Sequence, residues 1–365
     1  MELGQGDTVL AKPTGELEEL PSEQAAGEQR YPVRFTATGE EYFRIWIVNL
    51  ALTVVTLGIY SAWAKVRKKR YFYGHTLIDG EAFEYRANPI AILKGRLIAF
   101  ALLALYSLSG ELVPLLQPLF MVALAVAVPW LLARSLAFNA VNSAYRNVQF
   151  HFHGGYAEAL RVVIGNGLLV VVSLGLMYPY WKARLARFIA NQHSYGQTRF
   201  ELPGLAAEFY RVYLKAGALL FGYAVLGMLA MVAAASGDRG GMVALTTGVI
   251  VFVLAGSLTY LLAFASVRAR ITNLTWNHAR LGSVRFVSTL HTGRLAWLYF
   301  TNIVAILATL GLAIPWALVR TMRYRCEQTT LLAEQGLDRF LAAESAQVGP
   351  TGEAVGELFN IDFGL

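Results

Sequence analysis

One block of sequence is written three times along this chain. The copies read NLALTVVTLGIYSAWAKVRKKRY from Asn49, NGLLVVVSLGLMYPYWKARLARF from Asn166 and NIVAILATLGLAIPWALVRTMRY from Asn302. They superpose without a gap. Asn49, Asn166 and Asn302 form one column, Gly58, Gly175 and Gly311 a second, Arg67, Arg184 and Arg320 a third, and Arg70, Arg187 and Arg323 a fourth. A unit that recurs in register is one piece of supersecondary structure used repeatedly. The pattern builds an array, not a single enzyme core with one active centre.

Composition fixes the solvent. With 56% hydrophobic and 15% charged residues among 365, and a mean hydropathy of +0.47, the chain is too apolar for an ordinary soluble protein and belongs in a bilayer. Residues 1–30 carry seven Asp and Glu against Lys12 and Arg30 and hold no apolar run, so they read as a solvated acidic tail without a cleavable signal. The lone Cys326 excludes an internal disulfide, and no Cys and His grouping has zinc spacing.

Two stretches have the length of membrane hairpins. Leu97 to Ala133 is broken by Ser109, Gly110, Glu111 and Pro114, and Ala216 to Val267 is broken by Ser236 to Gly241. The repeated units are shorter and break near their ends, at Gly58 with Ser61, Gly175 with Pro179 and Gly311 with Pro315, where a helix kinks or stops. Charge decides between two topologies. If all seven segments span, nearly half of the 31 Lys and Arg lie outside. If the three units enter and leave on the cytoplasmic face, only Arg239 does, and the positive-inside bias becomes extreme.

The expected fold is therefore a mainly α integral membrane protein of the order unit, hairpin, unit, hairpin, unit. It has two transmembrane hairpins (95–146 and 210–280) and three broken, re-entrant helical units (41–72, 160–190 and 295–325), with both termini cytoplasmic. An interfacial position for the units is the alternative, and Trp46, Trp63, Trp181, Trp297 and Trp316 near the unit ends suit either. The membrane domain covers 31–325, and a helically periodic segment and tail, cytoplasmic on this topology, cover 326–365. Short aromatic segments (Val33 to Phe35, Ala82 to Tyr85, Val148 to Phe152, Thr198 to Phe200, Val284 to Phe286) alternate like strands, and Asp79 with Gly80 reads as a hairpin turn. A shared sheet below the membrane follows, although its pairing is not readable.

Candidate chemistry is sparse. Asn49, Asn166 and Asn302 place an amide in an apolar helix, where it must be hydrogen-bonded; they either line a shared polar path or bond helices together, and a repeated position favours the structural contact. Lys65, Arg67 and Arg70, then Lys182, Arg184 and Arg187, then Arg320 and Arg323 follow the membrane units directly, which suits orientation and contact with anionic lipid headgroups. Arg134 and Arg270, with Asn139, Asn142, Thr275 and His278, read as polar helix ends. His151 and His153 share a strand face but lack a third ligand. Neither a phosphate-binding loop nor a nucleophile elbow is present, and we expect neither an enzyme nor a cofactor.

At EEYFRIWIVN (Glu40 to Asn49), TLGIYSAWAKVRKKRYFYGHT (Thr56 to Thr76) and the closing FNIDFGL, the chain resembles the YjgN family of bacterial inner-membrane proteins, also called domain of unknown function 898. Ala62 departs from the proline that family carries before the tryptophan, which Pro315 with Trp316 retains. The resemblance implies a multi-pass inner-membrane location and no established activity. Two readings remain: transport or lipid and amphiphile handling through a cavity formed by the repeats, and a non-transporting protein that organises membrane or recruits partners. Membrane lipids, anionic ones included, are the expected partners, and nucleic acid is not. A homo-oligomer or a protein partner is an open alternative.

Overall fold

The computed structural model describes residues 28–113, 115, 117–235, 242–334 and 336–347. The acidic segment before residue 28, the break at Pro114, the break at Ser236 to Gly241 and the FNIDFGL tail lie outside the described residues. Strands β1 (Gln29–Pro32) and β2 (Arg34–Phe35) open the fold and lead into helices α1 (Gly39–Val55) and α2 (Ser61–Gly74). From there strand hairpins alternate with helix hairpins. β3 (Thr76–Ile78) and β4 (Glu81–Tyr85) precede α3 (Pro89–Leu112) and α4 (Gln117–Val141), and β5 (Ser143–Tyr145) and β6 (Val148–Phe152) follow. The next helical unit is α5 (Tyr156–Leu160), a π-helical turn at Arg161–Gly165, α6 (Asn166–Val172) and α7 (Tyr178–Gln192). Then come β7 (His193–Tyr195), β8 (Thr198–Glu201), α8 (Ala206–Ala235) and α9 (Met242–His278). The chain continues through β9 (Arg280–Leu281), β10 (Val284–Ser288), α10 (Thr292–Ala308), α11 (Ile314–Glu327), β11 (Thr329–Ala333) and α12 (Leu337–Gln347).

All eleven strands join one antiparallel sheet in the order β1-β11-β10-β9-β8-β7-β6-β5-β4-β3-β2. Its two ends, β1 and β2, are separated in the chain only by Val33, whose N–H donates to the Thr329 carbonyl at 3.0 Å. The sheet thus wraps into a near-closed barrel, which leaves little free edge. Two-residue turns set the register: Asp79 and Gly80 (φ 52° and 80°) and Arg146 and Asn147 (φ 45° and 64°) take the left-handed pair of values that matches strand twist.

Each helical excursion joins two strands that are paired with each other: β2 to β3, β4 to β5, β6 to β7, β8 to β9 and β10 to β11. All five helix groups therefore leave from, and return to, one rim of the sheet. The tight turns form the other rim. Helices α3, α4, α8 and α9 are apolar, long enough to cross a bilayer and almost uncovered by protein. They are the four spanning segments the sequence leads one to expect. At 1.5 Å per residue α9 reaches about 55 Å, so its last turns extend past the hydrocarbon to the sheet.

The three shorter excursions share one turn. Leu57 and Gly58, Leu174 and Gly175, and Leu310 and Gly311 adopt φ of 49° and 91°, 51° and 91°, and 50° and 95°. Gly58, Gly175 and Gly311 donate to the carbonyls of Thr53, Val170 and Ile306 at 2.7–2.8 Å, a left-handed helix cap that favours glycine. A hydroxyl on the preceding turn then accepts the first amide of the second helix: Thr56 from Tyr60, Ser173 from Met177 and Thr309 from Ala313, each at 2.9 Å. Leu57, Leu174 and Leu310 at the tips are 94–95% exposed.

One element differs from the sequence reading. Residues 329–333, expected to continue a C-terminal helix, form β11 between β1 and β10. The segment supplies the sheet's seam, and pairing on both edges overrides local helical periodicity.

Candidate functional site

Inward-facing side chains of the sheet do not fill it. Strand residues alternate between the two faces, and Ile78, Phe83, Tyr145, Phe150, Tyr195, Phe200, Val284, Phe286 and Leu331 turn inward around a cavity of about 320 Å³. Barrel diameter grows with strand number, and about eight strands already leave room for only side chains or one small ligand. A wider sheet keeps space. The rings pack in neighbouring pairs around the wall: Phe83 lies 4.8 Å from Tyr145, Phe150 5.1 Å from Tyr195 and Phe200 6.0 Å from Phe286. The tyrosine hydroxyls turn into the wall, Tyr145 donating to the Ile78 carbonyl and Tyr195 to the Tyr145 carbonyl. Burial raises the Tyr145 phenol to about 12 and moves Tyr195 the same way, so neither ionises near neutrality.

Helix α12 closes the turn rim. Leu337, Phe340 and Leu341, on one helical face, enter the cavity, and Phe340 stacks on Tyr195 at 6.2 Å. Glu344, one turn on and only 3% exposed, accepts from the Gln197 amide at 2.8 Å, the Thr198 amide at 3.3 Å and the Thr198 hydroxyl. Asp338 at the other end pairs with Arg146, which also holds Asp79 at 2.7 Å. The membrane-side end is framed by Thr272 and Trp276 of α9 and by Met322, Arg325 and Cys326 of α11. Burial raises the Cys326 thiol to about 11.

The residues singled out in the sequence fall elsewhere. Asn302 is buried between α10 and α11, where Nδ2 donates to Thr321 Oγ1 at 3.0 Å and Oδ1 accepts from Arg320 at 3.4 Å. Arg320 also donates to Thr301 at 2.6 Å and lies over the Trp316 ring. Asn49 is buried too, but its Oδ1 has no hydrogen-bond partner. Asn166 is half-buried. No hydrogen bond joins any two of the three among the described residues. Gly58 and Gly175 face open space, and Pro179 and Pro315 start their second helices, where a missing N–H costs nothing.

The last arginine column acts as a joint. Arg70 donates to the carbonyls of Tyr85 and Ala87 at 3.2 Å and Arg323 to that of Ala37 at 2.7 Å, while Arg187 lies beside Gly204 at the matching corner. Lys65, Arg67 and Arg184 instead stay exposed, Arg184 against the Tyr180 hydroxyl, while Lys182 lies over Tyr178 and Trp181. An open groove of about 400 Å³ between the bases of α8 and α9 adds Arg211, Lys215, Arg270 and His278, with Glu208 on Arg211 at 3.0 Å. His151 lies in β6 and His153 directly after it, and burial lowers both below the ordinary imidazole value. Among the described residues no three His, Cys, Asp or Glu come together as a metal site.

The cavity wall went unread in the sequence, although a signal for it was present. Phe83, Phe150, Phe200 and Phe286 sit in the second strand of four successive hairpins, one cavity-lining phenylalanine per hairpin, and all four point inward.

Four apolar helices and a sheet gathered on one side of them define a multi-pass membrane protein. The chain belongs to the family described as "Bacterial protein of unknown function (DUF898)", which matches residues 30–358. It is similar to "Inner membrane protein YjgN" of Escherichia coli strain K12, 32% identical over 121 residues, 33% of this chain and 30% of that protein. The protein of the same name from Salmonella typhimurium strain LT2 is 31% identical over 149 residues, 38% of this chain and 37% of that one. These matches span about a third of the length of the curated relatives. No solved structure matches significantly. Together the relatives and the helices make this an inner-membrane protein.

Proposed function

We propose that the protein takes an apolar or amphipathic molecule out of the cytoplasmic leaflet and shelters it inside the sheet. The observation that carries this is the cavity: about 320 Å³, walled by aromatic and aliphatic side chains, closed at one end by α12. Pockets of this size and character bind small ligands. On this reading the three short helix pairs are re-entrant. Their apolar tips dip into the leaflet from the rim that also launches the spanning hairpins, and sheet, α12 and both termini are cytoplasmic. Lys65, Arg67, Lys182 and Arg184 then lie at headgroup depth, where a basic residue contributes about 1 kcal/mol toward anionic lipid.

Handling of lipid is favoured over ion-coupled transport. The apolar middles of α3, α4, α8 and α9 hold no acidic or paired ionisable residue, where a coupled carrier needs one. Native mass spectrometry of the protein in a non-ionic detergent tests the reading. We expect one retained lipid or amphiphile per chain, lost in Val284→Phe, which fills the cavity, while the melting temperature holds. Equal retention in the folded variant would refute a ligand in the sheet.

A further inference from the structure

The cavity's polar groups are not random. We propose that its ligand is an anionic single-chain amphiphile, with the charged head against Arg325 at the membrane-side mouth and the chain among Phe83, Phe150, Phe200 and Phe286. This rests on the reading that the cavity holds a ligand, and it names the class.

Among the described residues Arg325 is the one charged residue in the cavity lining. It belongs to the face of α11 that fronts the cavity, where Met322 precedes Arg325 by three residues and Cys326 by four. It makes no ion pair or side-chain hydrogen bond among the described residues, and Glu327 nearby in the chain is exposed and not bonded to it. By contrast Arg70, Arg146, Arg285, Arg320 and Arg323 all find partners. A half-buried guanidinium beside an apolar space is costly unless an anion meets it.

The other polar groups of the lining divide into bonded and unbonded ones. The Tyr145 and Tyr195 hydroxyls toward the turn rim and the Thr76 and Thr329 hydroxyls near the helix rim are all bonded to carbonyls. At the mouth, the Thr272 hydroxyl and the Trp276 indole N–H, one turn apart on α9, have no hydrogen-bond partner among the described residues. With Arg325 they make three donors, and the indole and guanidinium can only donate. Donors at one end and hydrocarbon at the other match a carboxylate or phosphate head on a chain; a neutral sterol or hydrocarbon would leave Arg325 unmet.

Cys326 lines the same cavity and is the only cysteine of the chain, which makes it the reporter. Full-length protein in a non-ionic detergent is alkylated with a maleimide in the presence of decanoate, decyl phosphate or decanol. We expect both anions to protect Cys326 at concentrations at least ten-fold below decanol, although decanol is the more apolar. Arg325→Gln should erase that preference, and Arg325→Lys should keep most of it, each with an unchanged melting temperature. Equal protection by decanol in the wild-type protein, or an anion preference that survives in Arg325→Gln, overturns the proposal and leaves the cavity reading standing. Failure of all three compounds to protect overturns both. Should Arg325→Gln not fold, the wild-type ratio and Arg325→Lys decide alone.

Discussion

Glu344 is the latch of α12, and its removal should open the cavity. The carboxylate accepts from the Gln197 and Thr198 amides and from the Thr198 hydroxyl, yet among the described residues no cation pairs with it. Hydrogen bonds to a charged acceptor contribute ~1.5–3 kcal/mol each, and a buried amide left without an acceptor costs ~1–3 kcal/mol. Glu344→Ala deletes the acceptor for two amides, so docking of α12 weakens by roughly 3 kcal/mol after allowing for the carboxylate's own desolvation. At ~1.4 kcal/mol per decade this raises the undocked fraction roughly 100-fold. Cys326 reads the change. Burial holds its thiol at about 11, so about 0.1% is thiolate at pH 8, and access to water moves it back toward 9. Maleimide labelling at pH 8 should therefore accelerate about 100-fold, and its pH profile should shift to lower pH. Glu344→Gln, which keeps an amide oxygen, should accelerate it less. A labelling rate within two-fold of wild type, in a variant whose α12 sequence is otherwise intact and whose melting temperature is unchanged, would refute closure by α12.

Asn302→Leu removes bonds to Thr321 and Arg320 and should cost ~1–2 kcal/mol by thermal denaturation, whereas Asn49→Leu removes an acceptor that has no partner and should be neutral or stabilising. A loss of stability in Asn49→Leu equal to that in Asn302→Leu would mean the two asparagines do the same work. Arg70→Gln and Arg323→Gln should lower the melting temperature by releasing the carbonyls of Tyr85, Ala87 and Ala37. Lys65→Gln and Arg67→Gln should leave stability alone but weaken retention of anionic lipid in mixed nanodiscs by ~1 kcal/mol each. A cysteine at Ser283, in the turn between β9 and β10, should resist impermeant maleimide in intact cells and react after permeabilisation, with Cys326 replaced. Reaction in intact cells would sink the re-entrant placement.

Much of the helical frame was legible because its signals are local. Leu57 and Gly58 recur as Leu174 with Gly175 and Leu310 with Gly311 because one left-handed turn is built three times, and the four long helices announce themselves by apolar length. Asp79 with Gly80 could be read as a hairpin turn for the same reason. The sheet was legible only as scattered aromatic segments. Pairing of β1 with β11 joins residues some 300 positions apart, and nothing local to Arg30 or Leu332 encodes that partner. Strands of two or three residues such as β5, β7 and β9 carry too little alternation to register, and Thr329 to Ala333 follows a helical pattern while serving as a strand. The site suffered most. Asn and Arg columns drew attention because repetition is visible, yet Asn302 and Arg320 hold helix to helix, Arg70 and Arg323 hold helix to strand end, and the Asn49 oxygen meets no partner. The cavity is assembled from inward phenylalanines whose convergence exists only once the sheet has closed.

Closure of that sheet also bears on topology, independently of charge. A seven-span path would put β1, β2 and β7–β10 on one side of the bilayer and β3–β6 with β11 on the other. β2 could then not pair with β3, nor β6 with β7, nor β10 with β11, since no backbone hydrogen bond reaches across ~30 Å of hydrocarbon. The alternative that keeps every pairing sends each helix group out and back from one rim, and the distribution of basic residues asks for the same arrangement. It also accounts for the exposed leucines at the three tips, which water would leave unsatisfied and a leaflet would cover at about 25 cal/mol per Å² of apolar surface. Under that arrangement the mouth of the cavity faces the leaflet and α12 faces the cytoplasm. A ligand drawn from lipid would enter past Arg325 and Trp276, and its release to water would require the Glu344 latch to open.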